Sequence, residues 1–277
     1  DFLNSFAVAL PVRAVAVILE VPETRQAEFK RWADSSVAAI GRAITDDERV
    51  AAELDIVEQQ QYFASEIEDR RDNPRDDFLT DLLNAELTPA DGVEGGPLGM
   101  AEMLSIIRQI QVAGSETTAS LLADVMVQLA NHPDEWERLQ ADPSRAALVV
   151  EEALRWASPN QGLFRIVTAD TEIAGTPIPA GSTVWVMYGS ADHDDRVFDD
   201  PEEFRPDRPG VNQHMAFGHG IHFCLGAALA RLEAVCALQT LAARLDTIAV
   251  VDEESLRYGR SFILRGLEHL ELDVTYR

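Results

Sequence analysis

The chain has 277 residues, 46% of them apolar and 7% aromatic, with 16 Gly and 13 Pro, so it can bury a large core. Intrinsic disorder, collagen and small disulfide scaffolds are excluded, because two cysteines provide neither a disulfide framework nor a Cys-rich zinc site. The 48 acidic and 23 basic residues give a net charge of −25, which would repel nucleic acid and anionic membrane surfaces. The apolar stretch from Phe6 to Leu19 is too short and interrupted to span a bilayer. We therefore expect a cytoplasmic protein with no nucleic-acid or membrane partner.

Hydrophobic periodicity predicts a mostly helical chain with small β-sheets, forming a single α+β domain. The chain opens inside an apolar helical pattern, and residues 71–99 read as a loop with one helical turn at Phe78 to Asn84. The other predicted helices are Glu23 to Ile40, Asp46 to Arg70, Met100 to Asn131, Pro133 to Gln140, Ser144 to Trp156 and Leu225 to Leu245. The predicted strands are Arg165 to Val167, Thr171 to Ile173, Thr183 to Tyr188, Phe262 to Leu264 and His269 to Thr275, of which the first three form one small antiparallel sheet.

The segment that carries the clearest chemistry is Phe217 to Gly226, Phe-Gly-His-Gly-Ile-His-Phe-Cys-Leu-Gly, which leads directly into a helix. Cys224 lies at the helix start, where unpaired amides and the helix dipole favour a thiolate, the form that acts as metal ligand or nucleophile. Gly226 lacks a Cβ, which lets a flat cofactor approach the backbone. Cys236, inside an apolar helical stretch, is expected to be a buried structural cysteine.

This segment resembles the cysteine-ligand loop of the soluble bacterial cytochromes P450, the haem-thiolate monooxygenases. The resemblance implies the P450 fold and a haem b cofactor whose iron is bound by Cys224, with Phe217, Gly218 and Gly226 in the cofactor-binding loop. His222 matches a donor to a haem propionate. Arg165, in Phe-Arg-Ile-Val-Thr at the start of the predicted sheet, matches a second propionate donor.

The long predicted helix contains Ala-Gly-Ser-Glu-Thr-Thr at residues 113–118. A glycine within a helix costs about 1 kcal/mol relative to alanine, and threonine hydroxyls bond back to helix carbonyls, so the helix is weakened where a ligand would lie. In the P450 family this segment covers the distal face of the haem. The resemblance therefore places Ala113 and Gly114 against the cofactor and assigns Glu116 and Thr117 to proton delivery to dioxygen.

Glu152 and Arg155 are three residues apart on one helical face, which alone indicates only a common ion pair. Beside the other motifs they resemble the family's Glu-x-x-Arg pair, a structural network whose third member is Arg208, with Arg205 as the alternative. Positions that match the wall of the family's substrate pocket are Ile107, Ile110, Gln111, Asn160, Leu163, Phe164, Phe262 and Ile263.

The predicted function is hydroxylation or epoxidation of an apolar small molecule with dioxygen. The chain shows no Rossmann fingerprint, flavin segment or iron–sulfur cysteine cluster, so a ferredoxin and its reductase are expected to supply electrons, with Arg231 contributing to docking. Two alternatives stay open: an inactive P450-like fragment or docking module without stable haem, and a Cys–His hydrolase with His222 as base. The family's cysteine lies much further from the start, so on the order of a hundred residues are expected upstream of Asp1.

Overall fold

The computed structural model describes residues 1–38, 40, 43–89 and 95–277, which divide into two compact units. The first unit comprises Asn4–Ala119, and the second comprises Asp1–Leu3 with Ser120–Arg277. The boundary between them falls within the longest helix. None of the helices within these ranges is long and apolar enough to cross a membrane.

The first unit is built from helices α1 to α4 and the first part of α5. Their bounds are α1 Ala9–Ile18, α2 Gln26–Val37, α3 Asp46–Asp72, α4 Phe78–Asn84 and α5 Met100–Asn131, with the two-residue strands β1 Glu86–Leu87 and β2 Gly96–Pro97 paired antiparallel. Helix α3 starts at a capping box in which Thr45 and Glu48 satisfy each other's backbone N–H groups. The core of this unit contains Phe29 and Trp32 of α2. These two side chains form the apolar face by which α2 packs against its neighbours.

The second unit combines helices with three two-stranded antiparallel sheets. Helices α6 Pro133–Ala141, α7 Ala146–Ala157, α8 Tyr188–Ala191 and α9 Ala227–Arg244 are accompanied by the strand pairs β3 Gly162–Ile166 with β6 Thr183–Met187, β4 Thr171–Ile173 with β5 Thr176–Ile178, and β7 Leu245–Val250 with β8 Leu272–Tyr276. Helix α9 packs against α6 and α7. This packing places the residues before α9 beside the C-terminal half of α7.

The prediction of a mostly helical chain with small sheets is confirmed, whereas several boundaries were wrong. The strand expected at Phe262 to Leu264 is only an isolated bridge between Leu264 and Asn160. The three strands expected as one sheet belong to two separate two-stranded antiparallel sheets. Strand β7 was missed because no glycine or proline separates it from α9. Residue 39 of the predicted second helix and residues 90–94 of the predicted loop lie outside the described residues.

Candidate functional site

The turn that carries Cys224 is held by its own backbone. The Cys224 N–H donates to the carbonyl of Phe217 at 2.9 Å, and the Phe223 N–H donates to the carbonyl of Gly220 at 3.0 Å. Gly218 and Gly220 have φ values of 68° and 72°, in the left-handed region that side chains with a Cβ rarely adopt. The two glycines therefore allow the chain to fold back so that Cys224 precedes α9, which starts at Ala227 and not at the predicted Leu225.

The surroundings of Cys224 suit a flat apolar cofactor. Its side chain is half-buried, and a Cβ on Gly226 would fill the space 3.9 Å from the sulfur. The flanking Ile221, Phe223 and Leu225 are 97%, 52% and 94% exposed, so the turn presents an apolar surface around the sulfur. A single thiolate among apolar side chains fits a metal whose other ligands belong to a macrocycle. These residues fit haem.

The other cysteine does not share this setting. Cys236 is exposed on α9, so the prediction that it is a buried structural cysteine was wrong. Its neighbours Ala237 and Leu238 are buried, which shows that the apolar composition of the segment was a correct signal for the helix but not for this position.

A second group of side chains packs against Phe217 of the cysteine turn. The Glu151 carboxylate of α7 accepts hydrogen bonds from Arg231 Nε and Nη2 at 2.5 and 2.9 Å, and it lies 3.1 Å from His214 Nε2. The Arg231 guanidinium stacks over the Phe217 ring, 4.5 Å from its centroid. We call Glu151, Arg231 and His214 the clamp. Because Glu151 binds Arg231 at two points, Arg231 does not offer the free positive charge expected for docking a redox partner.

The charges in the clamp stabilise one another. Burial raises the pKa of Glu151, but hydrogen bonds from Arg231 and His214 outweigh it and lower that pKa to about 2. The hydrogen bond to Glu151 raises the pKa of Arg231 against its partial burial, and the charges of Glu151 and Cys224 add to this effect. Glu151 is therefore ionised and Arg231 charged at neutral pH.

A buried ion network connects α7 to the irregular segment before the cysteine turn. Arg155 Nε and Nη2 donate to the two oxygens of Glu152 at 2.8 and 2.9 Å, and Arg208 Nε lies 3.3 Å from Glu152 Oε1. Both members of the first pair are fully buried and Arg208 is 4% exposed. Arg205, the alternative third member, reaches Glu152 only through its backbone N–H at 2.8 Å. The structure thus joins Glu152, Arg155 and Arg208 in one cluster.

This network continues to the cysteine turn through Asp192, which sequence reasoning missed. Arg155 Nη1 donates to the Asp192 carbonyl at 2.8 Å, and the Asp192 side chain accepts from the Met215 N–H at 2.5 Å and from the Ser158 hydroxyl at 2.6 Å. Burial raises the pKa of Asp192, against these hydrogen bonds. No local sequence signal marks Asp192, Glu151 or His214, because their partners are distant in the chain.

The two predicted propionate donors lie at partly or fully exposed positions in the second unit. Arg165 projects from β3, half-buried, and donates to the carbonyl of Phe164 at 2.9 Å, with no carboxylate within ion-pair distance among the described residues. His222 is exposed, and its ring makes no hydrogen bond to that part of the chain. Both side chains can therefore donate to an anionic group.

Four of the predicted pocket residues, Asn160, Phe164, Phe262 and Ile263, are brought together in the second unit. Asn160 forms a bridge with Leu264, and the N–H of residue 161 donates to the carbonyl of Ile263 at 2.7 Å. The rings of Phe164 and Phe262 are 6.1 Å apart, and Trp185 lies 5.7 and 5.9 Å from them. Phe164 and Phe262 are 45% and 53% exposed, so this aromatic group presents an apolar surface, whereas Leu163, 36% exposed, points to the other face of β3. Trp185 was not predicted.

Residues 113–118, which the resemblance places over the distal face of the haem, belong to the first unit and lie within an uninterrupted α5. The Thr117 hydroxyl donates to the Ala113 carbonyl one turn earlier at 2.8 Å. A Cβ on Gly114 would lie 2.7 Å from Val15 Cγ2, so the glycine permits close approach of α1. Glu116 is exposed and lines a small cavity with Asp34 and Ser115.

The three pocket residues predicted on α5 lie on one side of the helix, at i, i+3 and i+4, and all three pack into the first unit. Ile107 is 1% exposed within the core of the first unit. Gln111 is fully buried, donates to the Phe29 carbonyl at 2.8 Å and accepts from Gln59. Ile110 is half-buried and packs against the core that contains Ile107. The amide of Gln111 is committed to the core because each of its two ends already has a partner.

Comparison with known proteins is consistent across sequence and structure. The family model described as Cytochrome P450 matches residues 48–147 and 146–248. Among curated relatives, putative cytochrome P450 123 of Mycobacterium tuberculosis is 36% identical over 278 residues, covering 100% of this chain and 67% of that protein. Steroid C26-monooxygenase of the same organism is 33% identical over 276 residues, covering 99% and 68%. The solved cytochrome P450 CYP109Q5 from Chondromyces apiculatus superimposes with a TM-score of 0.87 at 38% identity, covering 100% and 66%. The chain spans about two thirds of the length of these relatives.

Proposed function

Because the chain belongs to the cytochrome P450 family, we propose that it forms part of a haem-thiolate monooxygenase in which Cys224 binds the iron of haem b. The observation that carries this proposal is the cysteine turn: a half-buried sulfur, two left-handed glycines, a missing Cβ at Gly226 and apolar flanking side chains. When bound, haem supplies the activation of dioxygen that inserts one oxygen atom into a C–H bond or an alkene.

The second unit contributes the groups that hold the cofactor. Phe217, Gly218 and Gly226 form the surface next to the sulfur, and the backbone bond from Cys224 to Phe217 fixes its direction. Arg165 and His222 donate to the propionates. Their lack of a carboxylate partner among the described residues supports this role.

The first unit contributes proton handling from α5. Thr117 donates its hydroxyl hydrogen to the Ala113 carbonyl, which leaves the lone pairs of Oγ1 free to accept a hydrogen bond. Glu116, exposed one residue earlier, exchanges protons with water. Ala113, exposed on α5, keeps its position free of a large side chain, whereas the space beside Gly114, expected to face the cofactor, is occupied by Val15 of α1.

The proposed substrate is a largely apolar small molecule. Phe164 and Phe262, with Trp185 beside them, form an apolar surface of the second unit with few polar groups. A relative named for a steroid substrate supports a substrate of this chemical class. A ferredoxin and its reductase supply electrons to the complete protein, which is a single cytoplasmic P450 domain in this proposal. The Cys–His hydrolase gains no support, since the His222 ring has no orienting partner within the described ranges, and no observation favours an inactive fragment or docking module.

The proposal is tested by the absorption spectrum of the reduced, carbon-monoxide-bound full-length protein. The parent should show the red-shifted Soret band of thiolate-bound haem. Cys224→Ser should lose this band, and Cys236→Ser should keep it, because Cys236 is an exposed residue of α9.

Comparing Cys224→Ser with Cys236→Ser distinguishes loss of the iron ligand from a general loss of the fold. Loss of the band in Cys236→Ser with retention in Cys224→Ser would move the ligand to the other cysteine. A parent protein without the band would overturn the assignment of a haem-thiolate enzyme.

A further inference from the structure

We propose that Glu151 and Arg231 are positioning residues for the haem ligand: as a neutral ion pair they fix the cysteine turn and set the electrostatic potential at the Cys224 sulfur. The inference rests on the proposed function of Cys224 as iron ligand. It concerns residues that the sequence motifs left without a role, apart from the docking role expected of Arg231.

The positioning role follows from a continuous set of contacts. Glu151 orients the Arg231 guanidinium by two hydrogen bonds, a bidentate geometry that allows one planar arrangement. The guanidinium then covers the Phe217 ring at 4.5 Å, and the Phe217 carbonyl accepts the Cys224 N–H. The ring of Phe217 also contacts Phe223, at 6.3 Å between centroids, directly before the cysteine. The ion pair is thus connected to both ends of the turn.

His214 fixes the third side of the clamp. Its Nδ1 accepts the N–H of Ala216 at 3.2 Å, so Nε2 carries the proton that faces Glu151. The side chain of His214 is 2% exposed, and its ring lies 5.8 Å from that of Phe217. Because this tautomer is neutral, the charges of the clamp are one positive and one negative.

The electrostatic role follows from this neutrality. A lone cation beside the thiolate would stabilise added negative charge and so draw electron density away from the sulfur and raise the reduction potential of the iron. A lone anion would have the opposite effect. Glu151 is 18% and Arg231 34% exposed at the side chain, so solvent screens them less than surface charges. Paired, the two charges largely cancel at the sulfur.

The test measures the haem reduction potential of the full-length protein carrying Glu151→Gln, Arg231→Gln and both changes together. Glu151→Gln should shift the potential upward and Arg231→Gln downward. The double variant should return close to the parent, because it restores neutrality. Arg231→Lys, which keeps the charge, should shift the potential less than Arg231→Gln.

Two exposed positions provide matched controls for the same changes of charge. Arg196 is 86% exposed at the side chain, and Glu172 lies exposed on β4. Arg196→Gln and Glu172→Gln should leave the potential unchanged, since exposed charges are screened by solvent and salt.

Shifts of the same sign in both single variants, or no shift in either, would overturn the electrostatic role. If one single variant fails to retain haem, the comparison of the other single variant with the double variant still decides the sign. The Soret band of the parent carbonyl complex separates the two hypotheses. Its absence contradicts the proposed function, whereas its presence with unshifted variants contradicts only the role of the ion pair.

Discussion

Replacing Arg155 by methionine removes the central cation of the buried network. The side chain is fully buried and donates five hydrogen bonds: two to Glu152 at 2.8 and 2.9 Å, and three to the carbonyls of Asp192, Pro201 and Glu203 at 2.8, 2.9 and 3.2 Å. Methionine has comparable reach and no polar atom that can replace these donors. The variant therefore tests the network rather than the packing volume.

The expected loss of stability follows from the groups left behind. Glu152 keeps Arg208 at 3.3 Å and the backbone N–H of Arg205, and the Glu203 carbonyl keeps Arg208 Nη2 at 2.7 Å. The buried carbonyl of Asp192 and the half-buried carbonyl of Pro201 lose their donor, each at about 1–3 kcal/mol. Together with the weakened neutralisation of Glu152, this gives roughly 3–5 kcal/mol, the usual cost of breaking a buried ion pair.

The assay is thermal unfolding of the full-length protein, followed with haem content. At about 2–4 °C per kcal/mol for a domain of this size, the melting temperature should fall by roughly 6–20 °C. The matched control is Arg205→Met, since the Arg205 guanidinium does not touch Glu152 and its backbone N–H is kept. It should change stability by less than about 1 kcal/mol. An Arg155→Met protein that binds haem fully and melts with the parent would refute the reasoning.

Three further predictions address α5. Gly114→Ala places a methyl group 2.7 Å from Val15 Cγ2. The overpacking cost of about 1–3 kcal/mol should exceed the gain in helix propensity and lower the melting temperature, and adding Val15→Ala should restore the melting temperature. A Gly114→Ala protein with an unchanged melting temperature would contradict the close contact. Thr117→Ala should retain haem but divert electrons to hydrogen peroxide, measured as peroxide formed per reduced nicotinamide consumed, and full coupling to product would contradict the proton role. Burial raises the pKa of Asp124 to about 6, against Arg265 and Tyr258, so the native state holds a proton that the unfolded state releases from about pH 4 upward. The stability from this proton is lost as pH rises to about 6, and the difference in melting temperature between the parent and Asp124→Asn should shift against the parent across that window; a constant difference would contradict the raised pKa.

Local rules were sufficient for the helices and for the cysteine turn. The predicted start of α3 at Asp46 is confirmed, because the capping box of Thr45 and Glu48 that fixes it involves only neighbouring backbone groups. The turn before α9 was predicted because Gly218 and Gly220 adopt backbone angles that depend on the residue itself. These features lie within a few residues of one another, so the chain sequence contains all their partners.

The predictions that failed depended on which way an element faces. The segment around Cys236 is apolar, yet rotation of α9 leaves this cysteine exposed while Ala237 and Leu238 are buried. Gln111 matched a pocket position, yet α5 turns it into the core of the first unit, where the Phe29 carbonyl takes its amide. Composition determines that a helix has a buried side, whereas packing decides which residues occupy it.

Only the tertiary structure revealed the clamp of Glu151, Arg231 and His214 next to the cysteine turn. Glu151 precedes the recognised Glu152 by one residue, but adjacent helix positions point about 100° apart, so the two carboxylates serve different networks. The partners of Glu151 lie 63 and 80 residues away, at His214 and Arg231. The sequence by itself determined the cysteine turn, because backbone conformation is a local property. The charges that surround Cys224 were decided by folding, because electrostatic interaction depends on distance in space and not on separation along the chain.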